Sequence, residues 1–365
     1  MPESTRPAET VQDVVLTVGA VRIPLGQLTA TATTWRPVLA AALRTIADLI
    51  AQATTPPNPF TSCPGGLYQF SETEPLKWLA ANPKHPQAKI IQEKIGAHPM
   101  VQWVGPGDAD GIRGWVTDHC QRAERAGQMP VWMAYAIIDR DLADIDPTQF
   151  SGGGTNSLAE YVAWAENFAR GVGQHRAVVL VETDSILHMQ ALNKEQQRER
   201  LSALRSFIDA FARFAPNAVL YLDGGDSRWA SPEQVGPWIV QLMDGATNIR
   251  GFAANVSNFN TTRDVAEFAA TLQRYLADHG HPDTGFVIDT SRNGKGPDQW
   301  GSWCNPHGRQ IGEAPTTTGA QRHGADALLW VKAPGSSDGE CGAAPTARSG
   351  LFTPELAMKL ITGAE

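Results

Sequence analysis

In "LVETDSILHM", residues 180–189, an apolar run stops at two carboxylates, Glu182 and Asp184. The pattern recurs along the chain. "AYAIIDRD" ends in Asp139 and Asp141, "YLDGG" contains Asp223, "VIDTSR" carries Asp289 and Arg292, and "WVK" delivers Lys332, with Asp338 shortly after it. Carboxyl groups gathered in one place could ligate a hard cation, neutralise a cationic ligand, or supply a general acid and a general base. Acid–base work is favoured, because the chain has no H-E-x-x-H, P-loop, G-x-S-x-G or G-x-G-x-x-G motif. Of its 11 tryptophans, Trp103, Trp132, Trp229, Trp300 and Trp303 fall close to these run ends and offer flat apolar faces of the kind that pack on sugar rings. Acids and indoles together point to a glycan cleft.

What must position these groups is a set of apolar runs spaced roughly 30 to 45 residues apart, the length of a strand–loop–helix–loop unit. The runs are "VQWV", "VWMAYAII", "AVVLVE", "AVLYLDG", "GFAANVSN", "GFVIDT" and "ALLWVK". Between them, segments such as "SLAEYVAWAENFARGV" repeat apolar residues at three- and four-residue spacing, which predicts helices. Runs that are continuously apolar suit strands covered on both faces. About seven such units predict a distorted parallel α/β barrel, with functional groups at the carboxyl ends of its strands. Single features also have plainer readings. Trp132 lies within a run and is expected in the core, "GPGDADG" reads as a turn, His188 and His307 are not expected to bind a ligand, and the glycosylation-like tripeptides at Asn255 and Asn260 read as chance matches.

The chain has 365 residues, 42% of them hydrophobic and 19% charged, enough for a large core. A net charge of −8 with no basic cluster argues against nucleic acid. "WRPVLAAALRTIADLIAQA" is interrupted by Arg44 and Asp48, so it reads as a helix around Leu39 to Ala53 of a soluble protein and not as a membrane span. It is also a poor secretory signal. "TTPPNPF" marks a boundary, dividing a small N-terminal extension (1–55), which includes the strand-like "DVVLTVGAVRIPL", from a catalytic domain (56–365). Cys63, Cys120, Cys304 and Cys341 have no zinc-ligand spacing, which leaves either two disulfides or four unreactive thiols.

Seven blocks in chain order resemble glycoside hydrolase family 6, the inverting β-1,4-glucanases and cellobiohydrolases: "YAIIDRDL", "LVETDS", "YLDGGD", "AANVSNFN", "DTSRNGK", "QWGSWCN" and "WVKAPGSSDG". The resemblance covers about residues 58 to 362. It implies that Asp184 is the general acid, that Asp141 is a neighbouring acid raising its pKa, and that Asp338 is the base, acting directly or by a water relay toward Asp141. It also implies that Arg292 and Lys332 are cations around Asp338, that Tyr135 and Asp223 lie in the site, that Trp229 and Trp303 stack on sugar, and that Asn258 and Ser151 contact substrate. The substrate implied is a β-glucan. A monomer without cofactor or metal, secreted or at the cell surface, is expected, with a Cys304–Cys341 bridge.

The sequence also departs from that pattern. Leu142 stands where relatives have a cysteine, leaving Cys63 and Cys120 as candidates for a substitute bridge. Asp226 replaces a sugar-contacting histidine, and Ser336 replaces a glutamate. The segment after Asp338 is short, which implies an open cleft and endo cleavage. A catalytically inactive glycan-binding protein on the same barrel is the competing reading, and docking through residues 1–55 is a third.

Overall fold

In the computed structural model the described residues are 10–18, 21–30, 55–142 and 153–364. The expected helix around Leu39 to Ala53 lies outside them, as does Ser151. The chain divides into two compact units, residues 1–53 and 54–365. In the first, β1 (Thr10–Val18) and β2 (Val21–Ala30) pair antiparallel, with an irregularity between Asp13 and Val15.

The second unit is built on seven parallel strands in sequential order: β3 (Gln102–Val104), β4 (Val131–Ala134), β5 (Ala177–Val181), β6 (Ala218–Gly225), β7 (Ile249–Ala254), β8 (Gly285–Asp289) and β9 (Ala327–Leu329). All seven expected runs are strands. Their residues alternate between two apolar layers. Val178, Leu180, Tyr221, Val287 and Met133 pack inside the curl, while Val179, Val181, Leu220, Leu222 and Ile288 face outward. Burial on both faces is why the runs are apolar throughout and do not alternate with polar residues.

The outer layer is covered by helices, among them α1 (Glu74–Ala81), α2 (Ala109–Arg125), α3 (Leu158–Val172), α4 (Lys194–Phe214), α5 (Pro232–Met243), α6 (Thr262–Asp278) and α7 (Pro354–Thr362). Phe168 of α3 packs edge-on to Phe211 and close to Phe207 of α4, and all three are fully buried. "GPGDADG" proves to be a helix start, where the Asp108 carboxylate accepts from the Gly111 N–H at 2.8 Å and caps α2. Between β7 and β8 the backbones approach so closely that a side chain at Gly251 would meet the Gly285 carbonyl.

The barrel is incomplete. Among the described residues no ladder joins β3 to β9. Just beyond the strands the edges are tied by the Val101 N–H to the Trp330 carbonyl (2.9 Å) and by the Trp103 indole N–H to the Val331 carbonyl (2.8 Å). Trp132 is fully buried in the outer layer, as core. Among the described residues no helix is long and apolar enough to cross a membrane.

Cys304 and Cys341 form the expected disulfide, 37 residues apart in sequence. Cys63 and Cys120 are separate buried thiols and form no substitute bridge. They lie in different layers, one inside the curl and the other beneath the helices. Burial pushes the Cys120 thiol up to about 12. The protein unfolded without reductant should therefore titrate two thiols of its four cysteines. Replacing Cys304 and Cys341 by serine should lower unfolding free energy in denaturant by about 2–4 kcal/mol.

Candidate active site

Beyond β5 the backbone turns sharply. Glu182 (φ 50°) and Asp184 (φ 68°) are both left-handed, a conformation costing non-glycine residues on the order of 1–3 kcal/mol each. The two acids separate in role. Glu182 is fully buried and accepts from the N–H groups of Ala136 (2.9 Å) and Ile137 (3.1 Å) and from the Tyr161 hydroxyl (3.0 Å). Burial pushes it up to about 7 against those hydrogen bonds. It fixes the backbone after β4. Asp184 is half-buried, and its own N–H donates to the Asp223 carboxylate. Burial, then the negative charges of Asp223, Asp141 and Asp226, hold the Asp184 carboxyl well above the usual range. Asp223, buried beside it, is raised for the same first reason while accepting from the Gly225 N–H at 3.1 Å.

The loop after β4 supplies the facing groups. The Tyr135 hydroxyl donates to Asp141 Oδ1 at 2.7 Å. Arg140 lies over the Tyr135 ring, 4.2 Å from its centre, and its Nε is 3.6 Å from Asp141 Oδ2. Trp103 meets the same ring edge-on at 4.9 Å. Burial first, and then the charges of Asp184 and Asp141, raise the Tyr135 hydroxyl far above its ordinary value, keeping it a hydrogen-bond donor.

Across the mouth Asp338 is treated in the opposite way. Arg292 Nη1 lies 3.0 Å from its Oδ1 and 2.8 Å from Oδ2, Lys332 Nζ is 3.2 Å from Oδ1, and the Asn305 N–H donates to Oδ2 at 3.1 Å. Burial works against the charged form, but these two cations and the N–H hold Asp338 below the usual carboxylate range. Arg292 is itself buried, donates also to the Ser257 carbonyl, and sits 4.3 Å from the centre of the Phe259 ring. Lys332 is lowered by its burial and by the neighbouring Arg292, against the raising effect of Asp338.

The intervening loops are held by buried polar hubs. Asp289 accepts from the N–H groups of Ser257 (2.9 Å), Ser291 (3.0 Å), Val331 (3.2 Å) and Lys332 (3.2 Å), tying the ends of β7, β8 and β9 together. Asp226 accepts from Asn258 (2.9 Å), Asn260 (2.8 Å) and the Arg228 N–H (2.8 Å), so the Asn258 side-chain amide nitrogen is engaged in this clamp. Asn255 and Asn260 are buried and hydrogen-bonded to the protein, consistent with chance sequence matches. Trp229, Trp300 and Trp303 are 44%, 80% and 59% exposed, free to present indole faces, and each follows a strand end of this mouth. Among the described residues no group of three or more His, Cys, Asp or Glu side chains could hold a metal ion.

Strand-end position alone does not separate Glu182 from Asp184; a buried partner set does. Sequence reasoning also missed Arg200 of α4, whose guanidinium grips the carbonyls of Ile138 (3.1 Å) and Asp139 (2.8 Å). Its signal was available, since an arginine in the apolar stripe with Ala203, Leu204 and Phe207 needs a buried acceptor.

The family model described as "Glycosyl hydrolases family 6" matches residues 68–364. Endoglucanase 1 of Streptomyces halstedii is 36% identical over 308 residues, covering 83% of this chain and 90% of that protein. Endoglucanase A of Cellulomonas fimi is 34% identical over 301 residues, covering 82% of this chain and 61% of that protein. The endoglucanase Cel6 from Mycobacterium tuberculosis, solved in complex with methyl-cellobiosyl-4-deoxy-4-thio-β-D-cellobioside, superposes with a TM-score of 0.72 at 32% identity, covering 84% of this chain and 99% of that one. With a family match running through every strand of the barrel and relatives this similar over most of its length, the chain belongs to glycosyl hydrolase family 6.

Proposed function

We propose that this protein is an endo-acting β-1,4-glucanase that cleaves with inversion, using Asp184 as general acid and Asp338 with Asp141 on the basic side. The observation that carries the reading is the opposite electrostatic treatment of Asp184 and Asp338 within one mouth. A general acid must hold its proton at working pH, and burial among like charges does that for Asp184. A group assisting a water nucleophile must be ionised, and Arg292 and Lys332 keep Asp338 so.

Inversion needs the water on the face opposite the acid, so that protonation of the leaving oxygen and attack at the anomeric carbon are concerted. The two Asp338 oxygens already accept four contacts from Arg292, Lys332 and Asn305. Direct abstraction would have to displace one of them. That supports a relay, in which the water's proton passes through further water toward Asp141, held by Tyr135, while Asp338 stabilises the charge that develops. Trp229 and Trp303, both exposed, serve as sugar platforms.

Endo action is supported by the short segment after Asp338, which is fastened back on the domain. The disulfide holds Cys341, the Asn305 amide donates to the Gly339 carbonyl at 2.8 Å, and Ser337 N–H donates to the Leu351 carbonyl at 2.9 Å. The disulfide further supports folding in an oxidising, extracytoplasmic compartment. Residues 56–365 are taken as the catalytic domain and 1–55 as an appended unit.

Wild type should release reducing sugar from carboxymethylcellulose and mixed-linkage β-glucan, with viscosity falling ahead of reducing-end release. Proton NMR of fresh cello-oligosaccharide hydrolysate should show the α-anomer first. Asp184→Ala should lower kcat by about 100-fold or more on unactivated substrates. Substrate retained on a glucan gel without turnover by wild type would instead fit a binding protein.

The pH dependence follows from the two shifts. Asp184 is needed protonated, so activity falls as pH rises through its raised pKa. Asp338 is needed ionised to stabilise the developing charge, and its lowered pKa puts its own loss of function below the ordinary aspartate value of about 3.9. The stability signs are opposite: Asp338 contributes stability above the unfolded value, lost as pH falls through its folded one. Asp184 contributes below the unfolded value, lost as pH rises through its folded one. Asp184→Asn should therefore raise Tm relative to wild type increasingly at alkaline pH, as read by thermal denaturation. An equal Tm difference at every pH would contradict this sign.

A further inference from the structure

His188 sits one helical turn beyond Asp184, and its backbone N–H donates to the Asp184 carbonyl at 2.9 Å. Its ring is almost wholly buried, with 9% exposure for the residue. Nδ1 is 3.0 Å from the Arg140 carbonyl. A carbonyl only accepts, so Nδ1 carries the proton. The other side of the ring packs edge-on against Trp229, with 5.6 Å between ring centres and 63° between planes. One side chain thus touches the loop bearing Asp141 and the most accessible aromatic of the turn after β6.

What it holds on the first side is a loop with little regular structure of its own. Asp139 (φ 43°) and Leu142 (φ 57°) are left-handed. Three successive carbonyls of that loop are gripped from outside it: Ile138 and Asp139 by Arg200, and Arg140 by His188. Arg140 in turn reaches back to the Tyr135 carbonyl (3.1 Å), lies over the Tyr135 ring, and approaches Asp141. Releasing the Arg140 carbonyl therefore loosens the backbone immediately before Asp141, leaving it held by the Arg140 N–H on the Gly153 carbonyl (3.3 Å).

We infer that His188 is a positioning residue with two separable duties: its Nδ1–H fixes the Asp141-bearing loop through the Arg140 carbonyl, and its ring braces Trp229 as a sugar platform. The inference rests on the proposed hydrolase reading for its kinetic consequence. The structural tie itself can be read without turnover. Neutral imidazole performs both duties, and burial pushes His188 down to about 4, so it stays neutral across the working range.

The two duties can be removed one at a time. In His188→Phe a ring remains against Trp229 but the donor is lost. In His188→Asn an amide N–H stands where Nδ1 was, but the ring is lost. The wild type and both variants are compared by thermal denaturation, by kcat and KM on a soluble β-glucan, and by amide hydrogen exchange of the peptide spanning residues 136–142. The structure predicts that His188→Phe lowers kcat by about five- to tenfold with KM near wild type and speeds exchange in that peptide. His188→Asn should leave kcat and exchange near wild type and raise KM by about three- to tenfold. The inference is overturned if both variants change kcat and KM alike, if neither changes either, or if exchange quickens in both or in neither. If wild type hydrolyses no β-glucan, the hydrolase reading fails instead, and the exchange comparison still decides whether His188 ties the loop. Should His188→Phe prove unfolded, His188→Tyr, which also keeps a ring against Trp229 and has no donor at the Nδ1 position, takes its place in the same comparison.

Discussion

Two carboxyl groups at one mouth must be kept in opposite protonation states, and the environments of Asp184 and Asp338 are built around that requirement. Removing a carboxylate from water costs several kcal/mol. An opposite charge 4 Å away returns about 4 kcal/mol at an effective dielectric near 20. One cation roughly cancels the burial of Asp338, and a second decides in favour of the ion, which is why both Arg292 and Lys332 touch it. Among the described residues no cation forms an ion pair with Asp184, which faces Asp223, Asp141 and Asp226, so burial drives it toward the acid form.

The fold supplies this difference by bringing unlike strand ends together. β4, β5 and β6 deliver carboxylates, while β8 and β9 deliver Arg292 and Lys332 beside Asp338. Several residues after these strands adopt left-handed backbone: Glu182 and Asp184 after β5, Asn255 and Ser257 after β7. Such conformations persist only when neighbours determine them. Here the neighbours are Glu182, holding two N–H groups after β4, and Asp289, holding four across β7 to β9. These hubs are as acidic as the proposed catalytic groups and just as close in sequence. They differ in that their oxygens are committed to backbone.

That difference explains what could be read from sequence. Strand positions were legible because burial on both faces leaves "AVVLV" and "GFVID" continuously apolar, and a gathering of acids followed from strand-end chemistry. The Cys304–Cys341 bridge followed only from the resemblance. Spacing could not tell that Glu182 is a hub, because Glu182 and Asp184 are two residues apart and their roles are set by partners over 40 positions away, Ala136 and Ile137 among them. The failure of Cys63 and Cys120 to meet is of the same kind, since opposite faces of the strand layer separate them. Nor does composition reveal that Asp226 engages Asn258 and Asn260, as this requires the turns after β6 and β7 to be adjacent.

The most direct test of the account is the protonation order of the two acids, followed by infrared difference titration of wild type against Asp184→Asn and Asp338→Asn. The carboxyl band lost in Asp184→Asn should titrate well above the ordinary aspartate range, and the carboxylate band lost in Asp338→Asn should persist to below it. Asp338 protonating first as pH falls, with Asp184 still ionised near the ordinary aspartate value of about 3.9, would contradict it.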